Sequence, residues 1–277
     1  MVEAAEAEAL VWAAPADPRG LSRILQAHPG ICWVQLPWAG VEPYLGVLDD
    51  ARVWTSGKGV YSEPVAEHAL TLLLAGLRGV GRYARAGQWS GPTGTNLLGA
   101  PVTIVGGGGI TASLLRLLGP FGADVTVVRR RAAPMAGAHA VVTPDQLDAA
   151  LDGAVGVVLA VALTPATRGM IGAGRLARMA GEGWLVNVAR GEHVITSDLV
   201  DALRADVIAG AALDVTDPEP LPRHHALWSL PNCIITPHVG NTPAMAMPLL
   251  SARVADNVRR HGAGEALVGV VDIGSGY

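Results

Sequence analysis

The sequence is poor in aromatic residues and in cysteine. Aromatic side chains make up 4% of the 277 residues, with a single Phe, so a hydrophobic core must consist mainly of aliphatic residues and alanine. Cys32 and Cys233 are the two cysteines, which excludes a disulfide framework and a metal site built on paired cysteines. Both lie in apolar stretches, and we expect two buried free thiols and no metal.

Strong net charge and long apolar segments are absent too. The formal net charge of −4 indicates no nucleic-acid partner. No apolar stretch reaches the roughly 20 residues needed to span a bilayer, so no membrane segment is expected. The first ten residues are acidic and do not resemble a signal peptide. We therefore expect a cytoplasmic protein.

Half of the residues are hydrophobic, enough for a substantial core in one or two domains. After a Gly- and Pro-containing segment at 87–101, short apolar runs alternate with stretches of helical periodicity, which predicts a doubly wound α/β parallel sheet. We expect strands at 102–105, 125–128, 155–160, 184–188, 208–213 and 233–236. Helices are expected near 110–119, 144–150, 172–179 and 196–204.

The front of the chain predicts a second, smaller α/β domain. Strands are expected at 8–13, 31–36 and 51–56, with a helix near 19–27 and a longer one over 65–85. One more helix is expected over 243–261. We place the domain boundaries so that 1–92 and 244–277 form one domain and 93–243 form the other.

A strand, a glycine turn and a helix follow one another at 103–119. This geometry directs backbone N–H groups and a helix N-terminus at a pyrophosphate, and so predicts a dinucleotide site. Gly106 and Gly108 fill the first two positions of the G-x-G-x-x-G pattern, and Thr111 takes the third. A register shifted by one residue also fits the looser pattern, and a turn without a ligand is the alternative.

The next strand ends in three arginines, Arg129, Arg130 and Arg131. A site for NAD carries Asp or Glu about 20 residues past the glycines, where it binds the ribose 2′-hydroxyl. Arg129 occupies that position here, and guanidinium groups favour a 2′-phosphate. We therefore expect NADP, with NAD as a possible second cofactor; a solvated run of charge is the alternative.

Polar residues follow three later apolar runs, where parallel strands end at one edge of a sheet. Arg190 follows the first run, Asp214 and Glu219 the second, and His238 the third. A guanidinium can hold a carboxylate substrate, and an imidazole beside a carboxylate can move a proton. Each residue alone has a structural explanation, as an ion pair or a loop residue, but their joint placement predicts a catalytic site.

Six further stretches carry a family pattern across most of the chain: VAEHALTLLLAGLR (65–78), LTPATRGMIGAGRLARM (163–179), LVNVARG (185–191), GAALDVTDPEPLP (210–222), NCIITPHVG (232–240) and VDIGSGY (271–277). With the glycine turn, they resemble the D-isomer-specific 2-hydroxyacid dehydrogenases, most of all the glyoxylate/hydroxypyruvate reductase-like and phosphoglycerate dehydrogenase-like branches. The resemblance implies a Rossmann nucleotide-binding domain, a flavodoxin-like substrate-binding lid and a homodimer.

The resemblance also implies roles for single residues. Arg190 would bind the substrate carboxylate, His238 would be the general acid or base, and Glu219 would pair with His238. Asp214 would contact the nicotinamide amide. Further cofactor contacts are implied for Gly109, Ile110, Thr164, Ala189 and Gly240. Substrate contacts are implied for Trp38, Ala39 and Gly40, and for the loop at 56–60 with Lys58 and Gly59; an exposed loop lysine is the alternative for Lys58.

The chain departs from the family pattern at its front. EALVWA (8–13) resembles the second strand of the lid, so the lid is expected to be shortened. The expected function is reduction of a small 2-keto acid to a D-2-hydroxy acid with NADP(H). A dinucleotide-sensing, corepressor-like protein with little turnover is the first alternative. An oxidoreductase acting on formate or phosphite is another, without a specific sign in the sequence.

Overall fold

The computed structural model describes residues 6–14 and 17–274. In chain order, its strands and α-helices are β1 (Ala9–Val11), α1 (Pro18–Ala27), β2 (Trp33–Gln35), β3 (Val53–Thr55), α2 (Ser62–Leu77), α3 (Val80–Ala84), β4 (Pro101–Val105), α4 (Gly109–Leu118), β5 (Asp124–Val128), β6 (Ala140–Val142), α5 (Leu147–Leu151), β7 (Gly156–Leu159), α6 (Ala173–Leu176), β8 (Trp184–Asn187), α7 (Thr196–Arg204), β9 (Gly210–Leu213), β10 (Cys233–Ile235) and α8 (Pro243–Gly262). None of the helices described is long and apolar enough to cross a membrane.

The chain divides into two compact units. The smaller unit consists of Met1–Tyr61 and Thr242–Tyr277, and the larger unit of Ser62–Asn241. The smaller unit contains a parallel sheet in the order β1-β2-β3, whose central strand pairs Trp33 with Ala9 and with Val53. The last three residues of the VDIGSGY stretch lie outside the described residues.

A buried polar network joins α8 to the sheet of the smaller unit. The Thr55 hydroxyl donates to Gln35 Oε1 at 2.8 Å and accepts from the Trp33 indole at 2.8 Å. Asn257 on α8 donates to the same Gln35 oxygen at 3.0 Å. Its side-chain oxygen also accepts from the Val268 backbone N–H. Because buried polar groups need partners, these contacts fix how α8 lies on the sheet.

The two cysteines differ in exposure. Cys233 is buried in β10, and burial raises the pKa of its thiol to about 12. Cys32 is exposed, so the prediction of two buried thiols is wrong for this residue. It precedes β2, and its thiol donates to the Glu8 carbonyl at 3.3 Å.

The larger unit is a seven-stranded parallel sheet in the order β10-β9-β8-β7-β4-β5-β6. The order reverses direction at β4 and β7, as in a Rossmann domain, where a ligand lies past the carboxyl ends of the strands. Strands β7, β8 and β9 are buried throughout, which explains their continuous apolar runs. Short β6 was not predicted, since its three residues follow a segment rich in glycine and alanine.

Helix α2 belongs to the larger unit because of close glycine packing. A side chain at Gly76 would overlap the Trp184 indole, and one at Gly210 would overlap the same ring from another side. The helix also buries Ala69 and Leu73 against the sheet and α4. The observed division therefore differs from the predicted one: residues 62–92 were expected in the smaller domain. The single helix predicted over 65–85 is broken at Gly79, which has a φ of 63°.

Candidate active site

The glycine turn after β4 is shaped for close backbone approach. Gly106 has a φ of 121°, and a side chain there would overlap the carbonyl oxygen of Ala160. Gly108 caps α4, and a Cβ on it would meet no atom within 4 Å. Thr111 is fully buried, and its hydroxyl donates to the Gly106 carbonyl at 2.9 Å. Thr111, in place of the third glycine, thus stabilises the turn from its buried side, and the space at Gly108 stays open.

Arg129 lies across the glycine turn. A Cβ at Gly107 would come within 2.7 Å of its Cδ and Nε, so the stem of this arginine passes directly over the turn. Its backbone N–H donates to the Val142 carbonyl at 2.9 Å, which fixes the end of β5 against β6. The structure therefore brings together the two features that predicted a phosphate-rich cofactor.

Arg190 is held by the strand that precedes it. The fully buried Asn187 side chain donates to the Arg190 carbonyl at 2.8 Å and accepts from the Ala189 N–H at 3.0 Å. A side chain at Gly191 would overlap the backbone of Thr216, so the turn carrying Arg190 packs against the loop that leads to Glu219. The guanidinium also donates to the Ala189 carbonyl at 2.7 Å.

His238 and Glu219 form a hydrogen-bonded pair. His238 Nδ1 lies 2.7 Å from Glu219 Oε1, with side chains 54% and 41% exposed. The other carboxylate oxygen of Glu219 accepts from the Thr216 N–H at 3.5 Å. The backbone of His238 has a φ of 53°, an uncommon conformation for a side chain of this size, and such conformations cluster at functional sites.

Asp214 organises the loop that carries His238. Its carboxylate accepts from the Val239 and Gly240 N–H groups, each at 2.9 Å, and from the Thr236 hydroxyl at 2.5 Å. The His238 N–H donates to the Asp214 carbonyl at 2.8 Å. Burial alone would raise the pKa of Asp214, but these hydrogen bonds and one from His68 outweigh it and lower the pKa to about 2.

His68 contacts the candidate site, and the sequence did not reveal this contact. It lies on α2. Its Nε2 is 3.2 Å from the Asp214 carboxylate and 3.0 Å from the Thr236 hydroxyl. Its only signal in the sequence is its place in the AEH segment of the family pattern; the contact joins residues 146 or more positions apart, which periodicity cannot detect.

The other predicted cofactor residues lie on the same side of the sheet. Thr164 follows β7, and its N–H donates to the Thr167 hydroxyl at 2.8 Å. Ala189 is buried beside Arg190, and Gly240 is bound to Asp214. Gly109 and Ile110 begin α4. All follow the carboxyl ends of parallel strands, the edge at which this kind of sheet binds ligands.

The two predicted substrate loops meet within the smaller unit. The Gly57 N–H donates to the Trp38 carbonyl at 2.7 Å. Ser56 connects the same loops, since its hydroxyl lies 3.5 Å from the Ala39 carbonyl and accepts from the Lys58 N–H. Gly40 lies in the first loop, and Gly59 turns the second with a φ of 81°. Trp38 is 44% exposed, so its indole is accessible within this unit.

A comparison with known families decides the relationship. Residues 69–240 match the family described as D-isomer specific 2-hydroxyacid dehydrogenase, NAD binding domain. The match spans more than half of the chain and includes the glycine turn, Arg190, Glu219 and His238. The chain belongs to this family. The predicted membership is thereby confirmed.

Relatives of this dehydrogenase extend the similarity into the smaller unit. Glyoxylate/hydroxypyruvate reductase A of Photorhabdus laumondii is 30% identical over 97% of this chain and 87% of its own. A D-isomer specific 2-hydroxyacid dehydrogenase of Xanthobacter autotrophicus, solved with NADPH and MES, has a TM-score of 0.86 and 29% identity. That alignment covers 100% of this chain and 87% of the other. The NADPH-dependent glyoxylate/hydroxypyruvate reductase of Sinorhizobium meliloti, solved with NADP and sulfate, has a TM-score of 0.84 and 26% identity over 98% and 87%.

These findings confirm the predicted fold class and reaction class. The protein has an α/β fold with two parallel sheets. Its family consists of NAD(P)-dependent oxidoreductases that act on 2-hydroxy acids. The individual residue roles and the assignment of the smaller unit as a substrate-binding lid stay predictions.

Proposed function

We propose that this dehydrogenase reduces a small 2-keto acid to the D-2-hydroxy acid with NADPH. The observation that carries the proposal is the 2.7 Å contact between His238 and Glu219, on a loop fixed by the ionised Asp214. A histidine beside a carboxylate is suited to deliver a proton near neutral pH. The two glyoxylate/hydroxypyruvate reductases among the relatives support a small, carboxylate-bearing substrate.

The glycine turn and Arg129 fit a nicotinamide dinucleotide with a 2′-phosphate. Gly108 leaves open space at the start of the ten-residue helix α4, where backbone N–H groups and the helix dipole favour a pyrophosphate. The Arg129 stem over Gly107 puts a guanidinium at the end of β5, where the ribose of a dinucleotide lies. The cofactor, when bound, supplies the hydride.

The protein's own groups supply orientation and the proton. Arg190 offers a planar fork to the substrate carboxylate, which fixes the carbonyl that is to be reduced. His238 Nδ1 faces Glu219, which leaves Nε2 as the nitrogen that delivers the proton to the carbonyl oxygen. The Glu219 carboxylate favours the imidazolium form and fixes the ring orientation. In oxidation, the neutral ring accepts the proton.

The experiment is a rate survey with NADPH and NADH against a panel of 2-keto acids that includes glyoxylate, hydroxypyruvate and pyruvate. We expect reduction with the smaller acids and a higher kcat/KM with NADPH. Arg129→Asp should shift the preference towards NADH, whereas the matched Arg131→Asp should change it less. Equal or better use of NADH by the wild type would contradict the cofactor assignment. Tight NADPH binding without turnover would favour the dinucleotide-sensing alternative.

A second variant tests the anchor. Arg190→Lys keeps the charge but loses the planar fork, so kcat/KM for keto acids should fall by about tenfold or more while NADPH binding stays close to normal. Arg168→Lys is the control, because Arg168 is an exposed arginine whose guanidinium lies 3.7 Å from the Glu192 carboxylate, close in sequence to Arg190. Near-normal turnover by Arg190→Lys would remove Arg190 from the site.

The predicted homodimer and cytoplasmic location rest on the family resemblance and on composition. The oligomeric state is measured by light scattering on the purified chain, where a mass of one protomer would contradict the dimer. Cell fractionation of the native host tests the location.

A further inference from the structure

His193 is fully buried and both of its ring nitrogens face backbone carbonyls. Nδ1 lies 3.0 Å from the Thr167 oxygen, and Nε2 lies 3.0 Å from the Val161 oxygen. The two carbonyls lie 26 and 32 residues away along the chain, in the loop that follows β7.

The chemistry of these contacts requires two donors. A backbone carbonyl accepts hydrogen bonds and cannot donate them. A neutral imidazole has one N–H, so its other nitrogen would direct a lone pair at an oxygen 3.0 Å away. The imidazolium form has an N–H at each nitrogen and donates to both carbonyls. In the neutral form, one ring nitrogen would be a buried acceptor without a donor.

The contacts link two segments of the site. The loop 161–167 carries Thr164, and the turn 190–193 carries Arg190. The backbone adds two bonds in the opposite direction, from the Gly169 N–H to the Glu192 carbonyl at 2.7 Å and from the Ile171 N–H to the His193 carbonyl at 2.9 Å. These two bonds hold residues 169–171, which follow the loop. The ring of His193 contacts the loop itself, at Val161 and Thr167.

The charged groups around the ring belong to these same segments. Arg190 and Glu192 flank it on its own turn, and Arg168 on the facing loop lies 3.7 Å from the Glu192 carboxylate. The carbonyl dipoles of Val161 and Thr167 are the groups that the ring itself contacts.

We propose that His193 is a positioning residue that, as a double hydrogen-bond donor, holds the cofactor loop 161–167 in register with the Arg190 turn. The inference rests on the proposed function, which assigns Thr164 to the cofactor and Arg190 to the substrate. His193 touches neither ligand. It acts by fixing the distance between the two segments that do.

The first test reads the ring directly in the protein without ligand. In chain labelled with ¹⁵N-histidine, NMR should show a proton on both ring nitrogens of His193. The signals are assigned by their loss in His193→Gln or, if that variant does not fold, in His193→Asn. A ring nitrogen without a proton would overturn the double-donor arrangement.

The second test separates positioning from general stability. Gln can reproduce the donor near Nε2 and Asn the donor near Nδ1, so each variant keeps one contact and loses the other. Loss of one hydrogen bond is expected to raise the NADPH Kd and the KM for the keto acid by about fivefold to tenfold, with a smaller change in kcat. The alkaline limb of the pH–rate profile, which His238 sets, should not move. His139→Gln is the matched control, since His139 is exposed and contacts Asp124.

The outcomes distinguish this inference from the proposed function. An unchanged NADPH Kd in both folded variants would overturn the positioning role, whatever the enzyme reduces. A wild type that reduces no keto acid, but whose variants bind NADPH more weakly, would overturn the proposed function and leave the role of His193 in the cofactor loop intact.

Discussion

The larger unit contains two histidine–carboxylate pairs of opposite character. His238 and Glu219 are 2.7 Å apart, with side chains 54% and 41% exposed. His68 and Asp214 are 3.2 Å apart, with side chains 19% and 4% exposed. The first pair stands at the surface of this unit, where a ligand can reach it. The second is enclosed, and its carboxylate is already saturated by donors from Thr236, Val239 and Gly240.

The difference in exposure shows that a histidine–carboxylate pair can serve either proton transfer or structure. A proton donor must change its charge during the reaction, so it needs solvent or substrate within reach. A structural carboxylate must keep its charge, and hydrogen bonds from backbone N–H groups keep Asp214 ionised. In the proposed function, the enclosed pair therefore fixes the loop that carries the proton donor, His238. Three substitutions test this division of labour.

The largest effect is expected from His238→Ala. Loss of the proton donor should reduce kcat for keto-acid reduction by about 10²–10⁴-fold, with little change in NADPH binding. His68→Ala, at the other pair, is the comparison variant and should cost far less, since His68 acts only through the loop. Steady-state kinetics on both variants measures the ratio. Equal losses would mean that the two histidines do not differ in role.

Asp214→Asn should lower stability in a pH-dependent manner. Its pKa is lowered from 3.8 to about 2 in the folded protein, which corresponds to about 2 kcal/mol of stability. Because the folded pKa is depressed, this contribution is present above pH 3.8 and is lost as the pH falls towards 2. Urea unfolding of wild type and variant should therefore show a gap at pH 7 that narrows below about pH 4.

The exposed Asp201 provides a control for that measurement. Its carboxylate lies 4.0 Å from Arg204 on the surface of α7, so Asp201→Asn should change the free energy of unfolding by less than about 0.5 kcal/mol. A gap between wild type and Asp214→Asn that does not vary with pH would show that the substitution acts through packing and not through charge.

Glu219→Gln should give the smallest change, a shift of the pH–rate profile. Without the carboxylate, the protonated ring of His238 is less favoured, so the form that reduction needs disappears at lower pH. The alkaline limb of kcat/KM should therefore move to lower pH, and only modestly, since solvent screens an exposed pair. Glu182→Gln, an exposed residue, is the control. An unmoved limb would mean that Glu219 does not act on His238.

Local pattern was enough to predict the sheet of the larger unit and the places where polar residues follow its strands; the roles of those residues stay predictions. The runs that became β7, β8 and β9 are apolar throughout because both faces of these strands are covered, and polar residues follow where each strand ends. That regularity located Arg190, Asp214, Glu219 and His238. It also predicted the glycine turn, since a strand before it and a helix after it are both periodic.

Contacts between segments that lie far apart in the sequence could not be predicted from local hydrophobic periodicity. The family resemblance implied a nicotinamide contact for Asp214, and that contact stays a prediction. The structure surrounds the Asp214 carboxylate with donors from the protein. Helix α2 was assigned to the smaller domain because nothing local reveals that Gly76 packs on Trp184. The roles of His68 and His193 depend on partners many residues away. Exposed Cys32 was misjudged because the apolar run that suggested burial extends beyond the strand, which begins at Trp33.

The indole of Trp184 limits which residues can occupy two other positions. Gly76 and Gly210 both give it room, and a methyl group at either one would collide with the ring. A side chain at either glycine therefore requires a smaller residue in place of the tryptophan, and at Gly210 its Cβ would still lie 2.6 Å from the Asn232 carbonyl oxygen. As long as the tryptophan is present, substitution of Gly76 or Gly210 disturbs the packing of α2 and β9 against β8.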